Sequence, residues 1–324
     1  MADPRLPVLH TPGLVVALAE EDWTGDAVFH EYTSAVDPIG SGRISPVPIR
    51  RFAAPEGDGP SGTTMLDLSG ELGVAYPATG PSLLARFVSV AGGESVEVMP
   101  SATSALAYCL AGEGTAHFEG PGGPGTMAFA RGDVLTLPAP CTARYEASTR
   151  VLLYHVDDSP LLSYLGTVPA GPRFRPTRFD GEAARAALAE VAAHPDAGRR
   201  NRVAVLLGNS ANGQTLTATH TLWAMLGALP AGAVQRPHRH QSIALDLIVE
   251  CRAGCYSLVG TALDEHGAII DPVRVEWEPG CAFVTPPGLW HSHHNESGAD
   301  ASLFPVQDAG LHTYLRTLDI RFSS

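Results

Sequence analysis

The sequence predicts an all-β chain of 324 residues, built as two β-rich halves joined by one helix. Three observations lead there. Gly (34) and Pro (27) are frequent and fall between short apolar runs, which is the signature of many short strands linked by turns. One stretch, 181–194 (GEAARAALAEVAAH), breaks that pattern with strong helix formers at helical spacing. Strand-like runs then resume, so the second half reads as a rough copy of the first and internal duplication is expected. The length also suits two domains better than one small core.

In chain order, the first 60 or so residues are rich in turn residues and predict only strands and loops. From Ser82 the pattern sharpens into SLLARFVSV, ALAYCLAGEGTAHF, TMAFARGDVLTLP and RVLLYHV, spaced as in an antiparallel barrel or sandwich. Asp180 is placed to cap the connecting helix, and Pro195 stops it. Beyond it come RVAVLLGN, TATHTLWAMLGALPAG, ALDLIVE, CYSLVG, VRVEWEPG, CAFVTP and SLFPVQD. The expected domains are 1–175 and 176–324.

Hydrophobic residues make up 44% and charged residues 17%, as in an ordinary globular protein. A formal net charge of -13 repels phosphate backbones, so no nucleic-acid partner is expected. No apolar run reaches the ~18 residues of a membrane span. The opening MADPRLPVLHTPG shows no basic patch leading into an apolar core, so no secretory leader is expected. The five cysteines (Cys109, Cys141, Cys251, Cys255, Cys281) are odd in number and scattered, which suits a reducing cytoplasm. Cys251 and Cys255 read as small buried strand residues, because no second pair follows at zinc-site spacing.

The chemistry concentrates in the second half. Gly232 is followed after five residues by His238, Arg239 and His240. Gly280 is followed after five by Pro286, Pro287 and Gly288, then His291 and Asn295. On a strand, residues i and i+2 share a face, so His238 and His240 can reach one point, with His291 reaching it from a neighbouring strand. Neutral imidazoles are good ligands for Fe(II), Mn(II), Zn(II), Ni(II) or Cu(II). A lone His-x-His is a common accident; glycines, prolines and three histidines at fixed offsets together are not.

These spacings resemble both motifs of the cupin superfamily, G-x5-H-x-H and G-x5-P-x-G-x2-H-x3-N. The resemblance covers roughly 215–322 well and the first half in outline. It implies a bicupin, two double-stranded β-helix (jelly-roll) barrels. Many cupins add a glutamate four or five residues after the second histidine; Ala244 and Leu245 stand there, so three histidine ligands are expected. The strings PHRHQSIALDLIVE and PGCAFVTPPGLWHSHHNES are similar to those of the gentisate 1,2-dioxygenase group, which includes salicylate and 1-hydroxy-2-naphthoate ring-cleaving enzymes. That similarity implies one Fe(II) per chain, O2 as co-substrate, a hydroxylated aromatic acid as substrate and a homodimer or homotetramer. The rival readings are a Zn, Mn or Ni cupin for isomerisation or hydrolysis, and a small-molecule-binding cupin without turnover.

Two departures from that group stand out. Its metal motif usually lies in the first cupin, whereas here the equivalent first-half places hold Met99, Ser101 and Ala143. Its ALRF string carries a carboxylate-binding arginine where this chain has Asp246 in ALDL. Either another cation takes that work, with Arg316 and Arg321 as candidates, or an amino or hydroxyl substituent meets Asp246. The blander expectation pairs Asp246 with Arg236 or Arg252. His293 shares parity with His291 and is expected to act as acid or base, or as a histidine held by a carbonyl. Gln241, Trp290 and Trp223 are candidate substrate contacts, with core packing as the alternative for the tryptophans and a solvated position for Gln241. Arg239 and His294 point away from the ligands, and Asn295 is expected to fix a turn.

Overall fold

The computed structural model describes residues 24–57, 59–120 and 122–323. The opening MADPRLPVLHTPG lies outside the described residues. Four antiparallel sheets form two sandwiches. The first sandwich pairs a six-stranded sheet (Thr177–Phe179, Val134–Pro138, Ser104–Ala111, Val151–Asp157, Leu84–Val90, Gly62–Met65) with a four-stranded one (Ser95–Val98, Ala143–Ala147, Glu113–Gly120, Gly123–Ala130). In the second sandwich the six strands are Arg51–Phe52, Ala282–Thr285, Ala244–Glu250, Ala301–Gln307, Trp223–Leu229 and Val203–Leu207. Facing them are Val273–Glu276, Cys255–Gly260, Trp290–Asn295, Val234–Arg239 and Arg321–Phe322.

The two six-stranded sheets pack against each other, so their strands are buried on both faces and read as continuous apolar runs. In Ser104–Ala111, Leu106 and Tyr108 enter the core between sandwiches, while Ala107 and Cys109 enter the first sandwich. In Ala244–Glu250, Leu245 and Leu247 face the shared core and Ile248 faces the second sandwich. Asp246 has the parity of Ile248 and therefore points inside the second sandwich. Phe304, fully buried, meets Tyr108 across the shared core with ring centroids 4.6 Å apart.

The connecting helix is Gly181–Ala193, one residue shorter than expected. Asp180 caps it by accepting from the Ala183 N–H. Leu188 anchors it to the shared core. Gly181 abuts the first sandwich so closely that a Cβ would lie 2.5 Å from the Gly132 carbonyl carbon.

A division at 175/176 does not separate the sheets cleanly. Thr177–Phe179 pairs with Val134–Pro138 of the first sandwich, and Arg51–Phe52 pairs with Ala282–Thr285 of the second. The halves are also tied by reciprocal aspartates at the ends of equivalent strands. Asp158 accepts from the Thr221 hydroxyl at 2.9 Å, and Asp308 accepts from the Ser82 hydroxyl at 2.6 Å. Each is followed by a seven-residue helix, Ser159–Leu165 and Ala309–Leu315. No helix among the described residues is long and apolar enough to cross a membrane.

Candidate metal centre and its cavity

His238 lies on Val234–Arg239, directly opposite His291 on Trp290–Asn295, and His240 follows the end of the first of these strands. The Pro-Pro-Gly turn is fastened to the ligand strand: the Gly288 N–H donates to the His240 carbonyl at 2.7 Å, and Gly288 has φ +76°. That conformation favours glycine. All three histidines are buried, and one nitrogen from each lies within 4.8 Å of the others. Among the described residues this is the one cluster of histidine, cysteine and acidic side chains placed to hold a metal.

Each ring is oriented through Nδ1. That atom lies 3.1 Å from the Arg236 carbonyl in His238, 2.8 Å from the Ser242 carbonyl in His240 and 3.1 Å from the Leu289 carbonyl in His291. A carbonyl only accepts, so each Nδ1 carries the proton and each Nε2 keeps a lone pair. His240 Nε2 is buried without a partner. Burial pushes the pKa of His238 and His291 well below the ordinary value, and that of His240 down to about 4. For His238 the Arg202 charge adds to burial, and for His291 the other two histidines do. All three are neutral at pH 7, as metal ligands must be. A buried orphan nitrogen and three lone pairs in one place fit a divalent metal.

His238 and His240 border a cavity of about 240 Å³, with Trp223, Met225, Gln307 and Phe322 among its other walls. That is below the ~300 Å³ where pockets for drug-sized ligands begin, and suits a single ring better than a fused system. Wider hollows near His117 and near Arg173 have no contact with the three histidines. Phe322, on the C-terminal strand, stacks beside His238 at 6.0 Å and 25°. Trp223 presents a buried indole N–H without a partner.

The cation of the cavity is Arg202, which the sequence reading did not single out. It sits one residue before Val203–Leu207, and its Nη2 donates to His238 Nε2 at 3.0 Å. The Gln235 amide, with its oxygen turned to Arg202, accepts from Nε at 2.5 Å and Nη2 at 3.2 Å. Burial lowers the Arg202 pKa, and Asp246 opposes that. The expected candidates lie elsewhere. Arg321 is exposed and donates to Asp319, and Arg316 donates to the Tyr314 carbonyl.

Asp246 is fully buried inside the second sandwich and accepts from the Thr285 hydroxyl at 2.7 Å. Thr285, not Arg236 or Arg252, is its hydrogen-bond partner. Burial raises its pKa to about 6, against the pull of Thr285 and Arg202. It is not among the residues lining the cavity. Trp223 is. Trp290 points the other way, under the Arg239 guanidinium at 5.0 Å, as its parity opposite to His291 requires. Gln241 is used by the C-terminal tail, its Oε1 accepting from the Asp319 N–H at 2.7 Å. His293 is buried beside the ligands, with Nδ1 2.7 Å from the Ser257 hydroxyl. Asn295 closes the turn after its strand through bonds to the Ala299 carbonyl and the Ser297 N–H. His294 is half-buried and stacks on Tyr256. In the first half, Met99 and Ser101 are exposed and Ala143 is buried. The interior there holds an Arg86–Asp157 ion pair at 2.6 Å.

Comparison with solved structures finds salicylate 1,2-dioxygenase of Pseudoaminobacter salicylatoxidans. Its adducts with gentisate superpose with a TM-score of 0.62 at 19% identity, over 83% of this chain and 79% of that one. A variant of the same enzyme in complex with gentisate gives 0.62 at 17% identity, over 91% and 85%. The chain has the bicupin fold. No family model matches it, and no curated protein does. At these identities the likeness is one of fold.

Proposed function

We propose that this protein is an Fe(II)-dependent ring-cleaving dioxygenase that uses O2 on a single-ring hydroxylated aromatic acid, with or without an amino substituent. The observation that carries this reading is the pairing of three neutral histidine lone pairs with a guanidinium in the wall of one small, aromatic-lined cavity. His238, His240 and His291 would be the protein's three ligands to the metal, with no carboxylate among them. Bound iron supplies the path by which electrons pass from the ring to O2, both atoms of which enter the cleaved product.

The chain does the positioning. His238, His240 and His291 hold the metal through Nε2. With His238 Nε2 committed to a metal, the Arg202 N–H that now meets it would be free for the substrate carboxylate. Phe322, Met225 and Trp223 sandwich the ring and keep water from it, and the Trp223 N–H is a second donor for a substrate oxygen. Asp246 acts behind Arg202 as a counter-charge. This work falls to the second half, 176–324, with 1–175 as its packing partner. Five free cysteines support a reducing, cytoplasmic setting. Exposed Phe29 and Tyr32 near the N-terminus support assembly into a dimer or tetramer.

The test is O2 uptake by protein loaded anaerobically with Fe(II), against gentisate, salicylate, hydroxynaphthoates, aminophenols and catechols. Uptake with the single-ring acids is the expected result. One zinc per chain in the purified protein with no uptake on any substrate would overturn the dioxygenase reading.

A further inference from the structure

We infer that Ser257 and Trp277 lock His293 in the tautomer that carries its proton on Nε2, so that this fourth buried histidine offers an N–H donor and not a metal-binding lone pair. The inference deepens the metal-centre reading above and rests on it for its functional meaning.

Protons and lone pairs decide the tautomer. Ser257 lies directly opposite His293 in the register of strands Cys255–Gly260 and Trp290–Asn295. Its hydroxyl oxygen is 2.7 Å from His293 Nδ1 and accepts from the Trp277 indole N–H at 2.9 Å. Ser257 and His293 are fully buried, and Trp277 nearly so. An indole N–H can only donate, so one lone pair of Ser257 is committed. If His293 donated from Nδ1, the serine would accept twice, and two groups would be stranded in the interior: the serine proton and the His293 Nε2 lone pair. If the serine donates to Nδ1, only the Nε2–H is left without a partner, and Nε2 is the atom of this ring that has none. The second arrangement leaves fewer unsatisfied groups and is favoured.

The contrast with the ligands is in what meets Nδ1. His238, His240 and His291 each face a carbonyl oxygen, which forces the proton onto Nδ1 and the lone pair onto Nε2. His293 faces a hydroxyl whose other bond is already spoken for. Its ring centroid is 5.8 Å from His291 and 5.9 Å from His238, so it stands beside the cluster of three without belonging to it. Nε2 lies on the opposite edge of the ring from Ser257. Ser257 and Trp277 are therefore positioning residues. They fix one buried N–H beside the three ligands.

The test reads the tautomer directly. The full chain is labelled with 15N in its histidine rings, and two-bond 1H–15N correlations are recorded without metal and with Zn2+, which is diamagnetic. His293→Gln identifies the His293 signals by their loss. The expected wild-type result is a protonated Nε2 and a bare Nδ1 for His293. The reverse should hold for the three ligands, and zinc should shift their Nε2 resonances while leaving His293 Nε2 protonated. Ser257→Ala should lower the ratio of Nε2–H to Nδ1–H at His293 by roughly tenfold or more, the weight of one charge-neutral hydrogen bond and the group it strands. Trp277→Phe should lower it in the same direction, and Ser257→Thr should restore it. A His293 protonated on Nδ1 in the wild type overturns the inference, as does a zinc-bound His293 Nε2, or an unchanged tautomer in both Ser257→Ala and Trp277→Phe. Should Ser257→Ala fail to fold, the wild-type and Trp277→Phe spectra decide. Zinc that shifts none of the four rings would sink the metal-centre reading, while the metal-free spectra still judge the tautomer.

Discussion

Arg202→Met tests the proposed substrate class most directly. Methionine keeps most of the volume and the apolar stem while removing the charge. In the structure Arg202 meets His238, Gln235 and the Met225 sulfur, and it offers the one guanidinium in the cavity wall. A hydrogen bond to a charged partner contributes about 1.5–3 kcal/mol, so losing the pairing with a substrate carboxylate should weaken binding about 10- to 100-fold. Asp246 would then lose the positive neighbour that holds its pKa down. Its proton stays on to higher pH, which spares the variant a bare buried charge. The assay is the Kd of a ring carboxylate and of the matching neutral phenol, measured by calorimetry on the metal-loaded protein. The carboxylate should lose one to two orders of magnitude and the phenol little, with metal content unchanged at one per chain. Equal losses for both ligands, or none for the carboxylate, would refute the assignment of Arg202.

Three further outcomes are expected. Asp246 has its pKa raised by burial from the ordinary 3.8 to about 6, so the folded state holds this proton more tightly than the unfolded one. Its contribution is most favourable below about pH 4 and is lost as pH rises through about 6, a change of about 3 kcal/mol. Asp246→Asn, which keeps an acceptor for Thr285, should therefore raise the urea midpoint at pH 7 and leave it little changed near pH 4. The buried histidines act with the opposite sign: their lowered pKa values let the unfolded chain take up protons the folded one refuses. With several of them against two aspartates whose pKa burial raises, Asp246 and Asp157, the stability of the metal-free protein measured by denaturant titration should fall as pH drops below 6.5. Phe304→Ala should cost about 3–5 kcal/mol, and both halves should melt in one calorimetric transition, since its ring fills the core they share.

The metal half of the site was legible because strand parity and turn spacing are local. His238, His240 and His291 are fixed by i, i+2 alternation and by a Pro-Pro-Gly turn, and the structure brings them together as that pattern demands. The inward direction of Asp246 follows from the same alternation. So does the outward direction of Trp290, the neighbour of His291, and the aromatic character of the residue obscured that simple rule. Arg202 was not legible. It stands 36 residues before His238, at the start of an edge strand, and only the packing of two sheets brings them within 3.0 Å. Gln241 reads as a candidate substrate contact because the sequence does not show that the C-terminal tail returns to pair beside His238 and takes the Gln241 Oε1. The partner of Asp246 was missed for a related reason. Thr285 stands on the adjacent strand of the same sheet, one residue before the Pro-Pro-Gly turn, and a neutral hydroxyl is an inconspicuous answer to a buried acid.

The exchange of short strands and aspartates between the halves has a consequence for how this protein can change. Arg51–Phe52 edges the second sandwich, Thr177–Phe179 edges the first, and Asp158 and Asp308 each reach across. The two barrels are interlocked and cannot be handled as interchangeable modules. A gene fragment cut at 175/176 would strand an edge of each sheet on the wrong piece and bare the largest apolar surface in the molecule. The half whose ligand places hold Met99, Ser101 and Ala143 thus stays under selection for its back face, whatever its own interior does. Mutations there would reach the metal centre as lost stability and not as altered chemistry.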